Sequence, residues 1–356
     1  MRVVYDTILA CRATGSKNEK LAILQAQSKN MELKEFLRVT YEPRINFYMK
    51  KIDLKFASTN ALTIPFDINA INDILAKLHG RKITGHDAKM YIANMYKGFA
   101  HDYERELLTM LIERDVKAGF SESTTNKVWA GLVTDVPYMR CSLPKDAKLN
   151  KFDWELGVFS QIKADGMFAN INHEGNGNVT ITSRNGSPFP IDHPAFAALV
   201  AEVRDHIPRG QQVHGELLMF LDCKMLPRQD GNGKFNTLLQ GGELEGNFAV
   251  AYECWDMIPI IGATAKNKIK TPYIDRFEKL ESALTYTRSD RTALWLIETK
   301  RVKSLKEANE HYRDALERGL EGTIIKDPIN LIWEDSTSKW QVKMKLEFEC
   351  DLEVEC

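Results

Sequence analysis

The feature that most constrains this chain is a change of hydrophobic period near residue 140. Before it, apolar residues recur at three- and four-residue spacings. Leu21, Ile23, Leu24, Leu33, Phe36 and Leu37 do so between Asn18 and Glu42, and Asn72–Leu78 and Tyr103–Val116 repeat the pattern. Thr84 ahead of GHDAKMYIANMY marks a further helix entry. These spacings predict short helices joined by polar turns, an all-α domain over residues 1–140. The stretch from Val136 to Asp153 holds two prolines and many polar residues and reads as a connection between domains. Beyond it the period shortens. VFSQIKADG, MFANINHEGNGNVTITSRNG, VHGELLMFL, FAVAYECWDMIPI, GTIIKD and KWQVKMKL read as strands punctuated by Asp-Gly and Gly-Asn-Gly turns. HPAFAALVAEVRDHI, YIDRFEKLESALTY and LKEANEHYRDALERG, the last stopped by Gly319, read as interleaved helices. Hairpins beside helices predict an α+β domain with mainly antiparallel sheets rather than a doubly wound parallel one.

Composition excludes several classes. A length of 356 residues accommodates two or three domains with sizeable cores. A mean hydropathy of -0.34, 21 glycines and 12 prolines are incompatible with collagen-like or low-complexity chains. No stretch approaches the roughly 18 apolar residues of a membrane span, and the N-terminus lacks a signal core, so a soluble protein without membrane partners is expected. The six cysteines form no CxxC and the eight histidines no HExxH or HxH, which argues against zinc ribbons, redox dithiols and protein-built transition-metal sites and for reduced thiols in a cytosol. The net charge of -1 conceals a split: residues 1–150 carry 23 basic and 17 acidic side chains, and the remainder is correspondingly acidic. A basic half suits contact with a polyanion, and an acidic half supplies carboxylates for metal or ribose.

Two glycine-rich segments are weak phosphate-loop candidates. Gly231-Asn232-Gly233-Lys234 lacks the GxxxxGK[ST] spacing and continues with Phe235, and Gly175 with Gly177 fails GxGxxG, so all four read as turn glycines. The informative string is Gln161-Ile162-Lys163-Ala164-Asp165-Gly166, a lysine at a strand end followed by a carboxylate and a glycine. Alone it equally describes a surface lysine before a hairpin turn. Its companions follow in order: Ser183-Arg184-Asn185-Gly186, Gly215-Glu216-Leu217, Glu253-Cys254-Trp255-Asp256, Glu321-Gly322-Thr323-Ile324-Ile325-Lys326 and Lys343-Met344-Lys345. Singly, the lysines read as solvated strand ends and Trp255 as strand packing. As an ordered series they resemble the signature of the covalent nucleotidyltransferases, the superfamily of ATP-dependent DNA ligases, RNA ligases and mRNA-capping guanylyltransferases. LRVTYEPRINFYMKKI, GRKITGHDA and RDVKAGFSESTTNKVWAGLV resemble the helical DNA-binding domain of tailed-bacteriophage ATP-dependent DNA ligases, and the likeness runs from residue 1 to about 350.

The resemblance implies an ATP-dependent DNA ligase that seals 5′-phosphate/3′-OH nicks through a lysyl-AMP intermediate and DNA-adenylate. ATP and Mg²⁺ are its cofactors and nicked double-stranded DNA its partner. A monomer without membrane attachment is expected, in the cytoplasm of a bacterial host if viral. The implied layout is multidomain: 1–140 a helical DNA-binding domain, 141–152 a linker, 153–347 an α+β nucleotidyltransferase domain (ATP-grasp-like), and 348–356 a remnant of the first OB-fold strand, the barrel being otherwise truncated. Lys163 is the implied nucleophile; a free lysine amine, with a pKa of about 10.4, needs cationic neighbours or metal to lose its proton at neutral pH. Asp165, two residues along a strand, is expected on the same side to orient Lys163 or a metal-bound water. Gln161, with Ile162 beside it, is placed at the adenine edge and Trp255 on its face. Arg184 and Arg276 are placed at phosphate, where a fixed fork of donors suits the work. Lys326, Lys343 and Lys345 likewise face phosphates, and Glu216 and Glu321 are the ribose and metal carboxylates, since Mg²⁺ needs few protein ligands. Two positions depart from the pattern: Phe168 stands where an arginine is usual, and Thr337 where a basic residue is usual, with Lys339 close by. With so little beyond residue 348, slow adenylylation is expected. An RNA ligase or capping-type enzyme is the alternative that the helical segment argues against. A nick-binding protein with little turnover is the one that the retained Lys163, Glu216, Glu321, Lys343 and Lys345 argue against.

Overall fold

The computed structural model describes residues 1–58, 65–284 and 293–345. The expected OB-fold strand at 348–356 and the end of the helix read from YIDRFEKLESALTY lie outside the described residues, as do Cys350 and Cys356. The chain divides into two compact units. The first comprises Met1–Asp135 with 185–187 and 239–242, and the second comprises Val136–Arg184, 188–238 and the chain from Glu243 onward.

The first unit is helical: α1 (Arg2–Arg12), α2 (Lys17–Ala26), α3 (Met31–Tyr41), α4 (Ile68–Ile74), α5 (Gly85–Gly98), α6 (Asp102–Glu113) and α7 (Glu122–Val128). Local side chains set the boundaries. The helical pattern between residues 18 and 42 breaks at 27–30 because Asn30 turns its carboxamide onto the Leu33 N–H, 3.1 Å away, and starts a new helix. Asp67 caps α4 through the Ala70 N–H at 2.9 Å. Buried Glu104 reaches back to the His101 N–H at 3.1 Å and also accepts the Phe66 N–H at 3.1 Å, fixing the entry to α6. Ile8, Phe36, Leu37, Ile71, Ile92, Leu107 and Leu111 meet in the core. No helix among the described residues is long and apolar enough to cross a membrane.

The second unit carries β1 (Arg140–Ser142), β2 (Val158–Ile162), β3 (Met167–His173), β4 (Val179–Ser183), α8 (Ala197–His206), β5 (Gln211–Leu221), β6 (Lys224–Met225), α9 (Arg228–Leu239), β7 (Phe248–Pro259), β8 (Lys268–Ile269), α10 (Tyr273–Leu284), β9 (Leu294–Leu296), β10 (Thr299–Val302), α11 (Leu305–Glu317), β11 (Gly322–Lys326), β12 (Trp333–Glu334) and β13 (Thr337–Lys345). One sheet has the order β1-β13-β11-β2-β10 and another β4-β3-β5-β7-β9, with β6 on β5 and β8 paired to β12. Pairing is antiparallel except for β1 with β13 and β7 with β9, so the sheets are mixed.

Two sequence expectations change. The stretch read as a connection contains β1, which runs parallel to β13; a three-residue strand among prolines and polar residues carries no period of its own, and its partner is distant in sequence. The glycines at 231 and 233 lie inside α9 rather than in a turn. Phe235 and Leu238 form the buried stripe of this helix, and at Gly231 a Cβ would make an ordinary contact with the Met219 Cβ at 3.4 Å.

Register decides what each sheet presents, because directly opposed residues share a face. Gln161 opposes Ile324 and Thr299, and Ile324 opposes Lys343, so Gln161, Lys326 and Lys343 lie on one face of the first sheet. Val158, Val302, Ile325 and Val342 occupy the reverse and pack with Ala308 of α11. In the second sheet Phe168, Glu216 and Glu253 stand opposite one another. The β5–β7 ladder slips between His214, which opposes Asp256, and Gly215, which opposes Cys254; Trp255 is the extra residue of this bulge. Gly215 has no room for a side chain, since a Cβ would lie 2.3 Å from the Glu253 carbonyl oxygen and 2.6 Å from the ring of Tyr252. Tyr252 is itself fixed by its hydroxyl, shared between the carbonyls of Ala169 and Val213 at 2.7 and 2.9 Å. Gly215→Ala is therefore expected to destabilise the protein by about 2 kcal/mol or more, read as a lower urea midpoint.

Candidate active site

Lys163 follows the last residue of β2, and its N–H still bonds the carbonyl of Gly322 at 2.9 Å. That extension brings the residue preceding β11, Glu321, against the Lys163 amine in an ion pair. Past Ala164 the chain approaches β5 so closely that a Cβ on Gly166 would lie 2.4 Å from the Leu217 carbonyl oxygen. Glu216 accepts the Gly166 N–H at 2.5 Å and so holds the Lys-x-Asp-Gly loop from the opposite sheet. Burial pushes the Glu216 carboxyl up to about 7, opposed by the Gly166 hydrogen bond and the charges of Lys163 and Arg228 and assisted by Glu321. Glu253, opposite it on β7, is raised to about 7 by burial as well and accepts the Trp295 indole N–H at 3.3 Å.

Beside the lysine stands an aromatic wall. The bulge turns Trp255 toward Phe168, with ring centres 6.2 Å apart, and Phe168 meets Tyr138 edge-on at 4.7 Å. The Arg184 guanidinium lies 4.4 Å over the Tyr138 ring, at the exposed rim of this wall. Lys326 is 3% exposed; its amine donates to the Tyr273 hydroxyl at 3.1 Å and lies 5.6 Å from the Trp255 ring centre. Burial pulls this amine down to about 7, against the pull of Asp256. Lys343 is half-buried on the same face, and the backbone of Lys345 pairs with Gly322.

The structure moves three residues singled out in the sequence, Asp165, Ile162 and Arg276, from their expected places and ties down a fourth, Gln161, where it was expected. Asp165 is off the strand, because β2 ends at Ile162; it is half-exposed and holds Arg228 at 3.1 Å instead of facing Lys163. Ile162 shares the reverse face with Thr323, which it opposes, so its side chain turns away from Gln161 and Lys326. Gln161 is 1% exposed, with its amide nitrogen donating to Thr299 at 3.1 Å and its oxygen accepting from Tyr273 at 3.1 Å. Arg276 is buried inside the fold and not at a phosphate. It forms a two-pronged pair with Asp256 at 2.8 and 3.0 Å, and its remaining nitrogen donates to the carbonyls of Thr271 and Leu331. Four of its N–H groups are thus engaged within the fold, and the side chain is 2% exposed.

Four further residues carry the arrangement: Arg228, Tyr273 and His214, which no motif announces, and Glu253, which stood in a motif string without a role. Arg228 places one guanidinium nitrogen 3.1 Å from Asp165 and 3.5 Å from Glu321. The Tyr273 hydroxyl links Gln161, Lys326 and the carbonyl of Trp255. Glu253 faces Glu216, and His214 lies beneath, bonded to Gln212 at 2.9 Å. None stands in a recurrent spacing; their positions follow from register and from α9 and α10.

Burial drives the His214 imidazole down to about 4, with Arg276 and Lys326 acting in the same direction and Asp256 against them. Its folded value lies below the ordinary 6.5, so between those values the unfolded chain binds more protons. The stability it contributes is present above about pH 6.5 and drains away as the pH falls toward about 4. His214→Gln is expected to flatten this limb: its urea midpoint falls less than that of the parent on acidification from about pH 7 to about pH 5.

As a metal site the cleft offers carboxylates only. No group of three or more His, Cys, Asp or Glu side chains clusters to hold an ion among the described residues. Glu216 and Glu321 sense one another's charge across the Lys163 loop. Hard oxygen donors in so small a number suit Mg²⁺, which keeps waters and takes further oxygens from phosphates.

The family described as the ATP dependent DNA ligase domain matches residues 145–345. The DNA ligase of Enterobacteria phage T4 is 28% identical over 372 residues, which cover 96% of this chain and 75% of that protein; the DNA ligase of phage T6 matches equally. A solved structure named Pmar-Lig_PreS3 superposes with a TM-score of 0.71 at 17% identity, covering 96% of this chain and 78% of that one, a likeness of fold.

Proposed function

The chain belongs to the ATP-dependent DNA ligase domain family, and from that membership we propose that it seals 5′-phosphate/3′-OH nicks in duplex DNA, with Lys163 as the covalent carrier of AMP. The observation that carries the assignment of Lys163 is its amine, paired with Glu321 just before β11 while Glu216 of the other sheet holds the loop through Gly166. Adenine stacks on Trp255, whose rim arginine, Arg184, and the lysines 326 and 343 face the phosphates. Gln161, fixed by Thr299 and Tyr273, closes the end of the pocket. Glu216 anchors the loop and accepts from the ribose. Glu216 and Glu321 are the residues that would hold Mg²⁺, which when bound supplies positive charge against the phosphate oxygens.

The three steps then balance. The Lys163 amine, its proton passed to Glu321, forms a nitrogen–phosphorus bond to the α-phosphorus of ATP as the bond to pyrophosphate breaks, the leaving group taking the electron pair. A 5′-phosphate oxygen next displaces the lysine, which regains a proton, and AMP moves to the DNA. The 3′-hydroxyl finally attacks that activated phosphorus, losing its proton, and AMP departs. Residues 1–135 form the helical DNA-contacting part of this proposal, in the cytoplasm of a bacterial host, with the protein acting as a monomer. Its binding is phosphate-dominated, hence insensitive to sequence and weakened by salt. The test is intact mass after incubation with Mg²⁺ and either ATP or GTP: a gain of one AMP with ATP alone is expected, and failure to gain AMP overturns the assignment.

A further inference from the structure

Besides Arg228, the two arginines singled out in the sequence stand in different settings. Arg276 is locked to Asp256, Arg184 lies over Tyr138 at the rim, and position 168, opposite Glu216, holds a phenyl ring rather than a charge; Arg301 serves elsewhere, over Phe159 on β10. Arg228 alone among the arginines just named contacts the carboxylates around Lys163. One guanidinium nitrogen is 3.1 Å from Asp165 and 3.5 Å from Glu321, and Glu321 holds the Lys163 amine. The residue begins α9, whose Gly231, Phe235 and Leu238 are buried, so its backbone is fixed while its side chain, 47% exposed, can swing.

We propose that Arg228 is a catalytic residue of nucleotidyl transfer: its guanidinium leaves Asp165 and Glu321 for the phosphate oxygens of ATP beside Lys163. An exposed arginine–carboxylate pair is weakly held, and a triphosphate offers the same fork more charge, so the exchange is favourable. In the nucleotide-free protein Arg228 bridges the two carboxylates and offsets their mutual repulsion. The inference rests on Lys163 being the carrier of AMP.

The experiment follows the rate of lysyl-AMP formation in single turnovers against ATP concentration, for the full chain and for Arg228→Ala. The variant is expected to keep its thermal midpoint and to form lysyl-AMP about 10- to 100-fold more slowly, the loss typical of a charge-assisted contact. Added guanidinium ion at millimolar concentration is expected to restore part of that rate, as a merely structural arginine would not allow. A variant as fast as the parent overturns the proposal, and so does a slow one that guanidinium leaves unchanged. If the parent itself never carries AMP, it is the Lys163 assignment that fails.

Discussion

Lys163→Ala is expected to abolish the AMP adduct and to slow the sealing of a 5′-phosphate nick by at least about 10⁴-fold, the scale on which loss of a covalent nucleophile is felt. The reason is positional as well as chemical. The neighbouring lysines do not stand in for it: Lys326 is buried against Tyr273, and Lys343 projects from another strand. The substitution spares the fold, because Lys163 is partly exposed and its pair with Glu321 is a surface contact rather than a buried one. Binding to nicked duplex therefore persists. A nick already carrying AMP on its 5′-phosphate still closes, since that step begins where the lysine has finished. An AMP adduct surviving in this variant would place the reactive amine elsewhere.

Arg276→Ala has the largest expected effect on stability, about 3–5 kcal/mol, because it strands the buried carboxylate of Asp256. Arg276 and Asp256 are 2% and 1% exposed, and the carboxylate is held below the usual range by its arginine partner in spite of its burial. The same pair positions α10, whose Tyr273 holds Gln161 and the carbonyl of Trp255. The variant is thus expected to unfold at much lower urea, while the double replacement Asp256→Leu/Arg276→Met recovers part of the loss by removing both charges together. If Arg276 acted on a phosphate, its loss would instead raise the ATP requirement of adenylylation and leave the urea midpoint unmoved.

Arg276 also illustrates where reading from motifs stops. Its position in the DRFEKL string suggested a phosphate ligand, yet whether a guanidinium meets solvent or a buried carboxylate depends on Asp256, twenty residues away on β7. Asp165 is a second case. A two-residue offset puts side chains on one side only while the strand continues, and β2 ends before it. The glycines of α9 are a third: a composition typical of turns was overruled by the burial of Phe235, which meets Phe189, and of Leu238.

By contrast, the change of period at about residue 140, the caps at Asn30 and Asp67, and the hairpin of β3 and β4 are local properties, and short-range sterics and hydrogen bonding determine them wherever the chain is placed. The order of the motifs was equally legible, since each strand carries its own segment. Which groups share the cleft was not. Glu216 under Gly166, Trp255 turned by a bulge, and Arg228 beside Asp165 arise from strand register and helix seating, and contacts between residues distant in sequence leave no periodic trace in either partner.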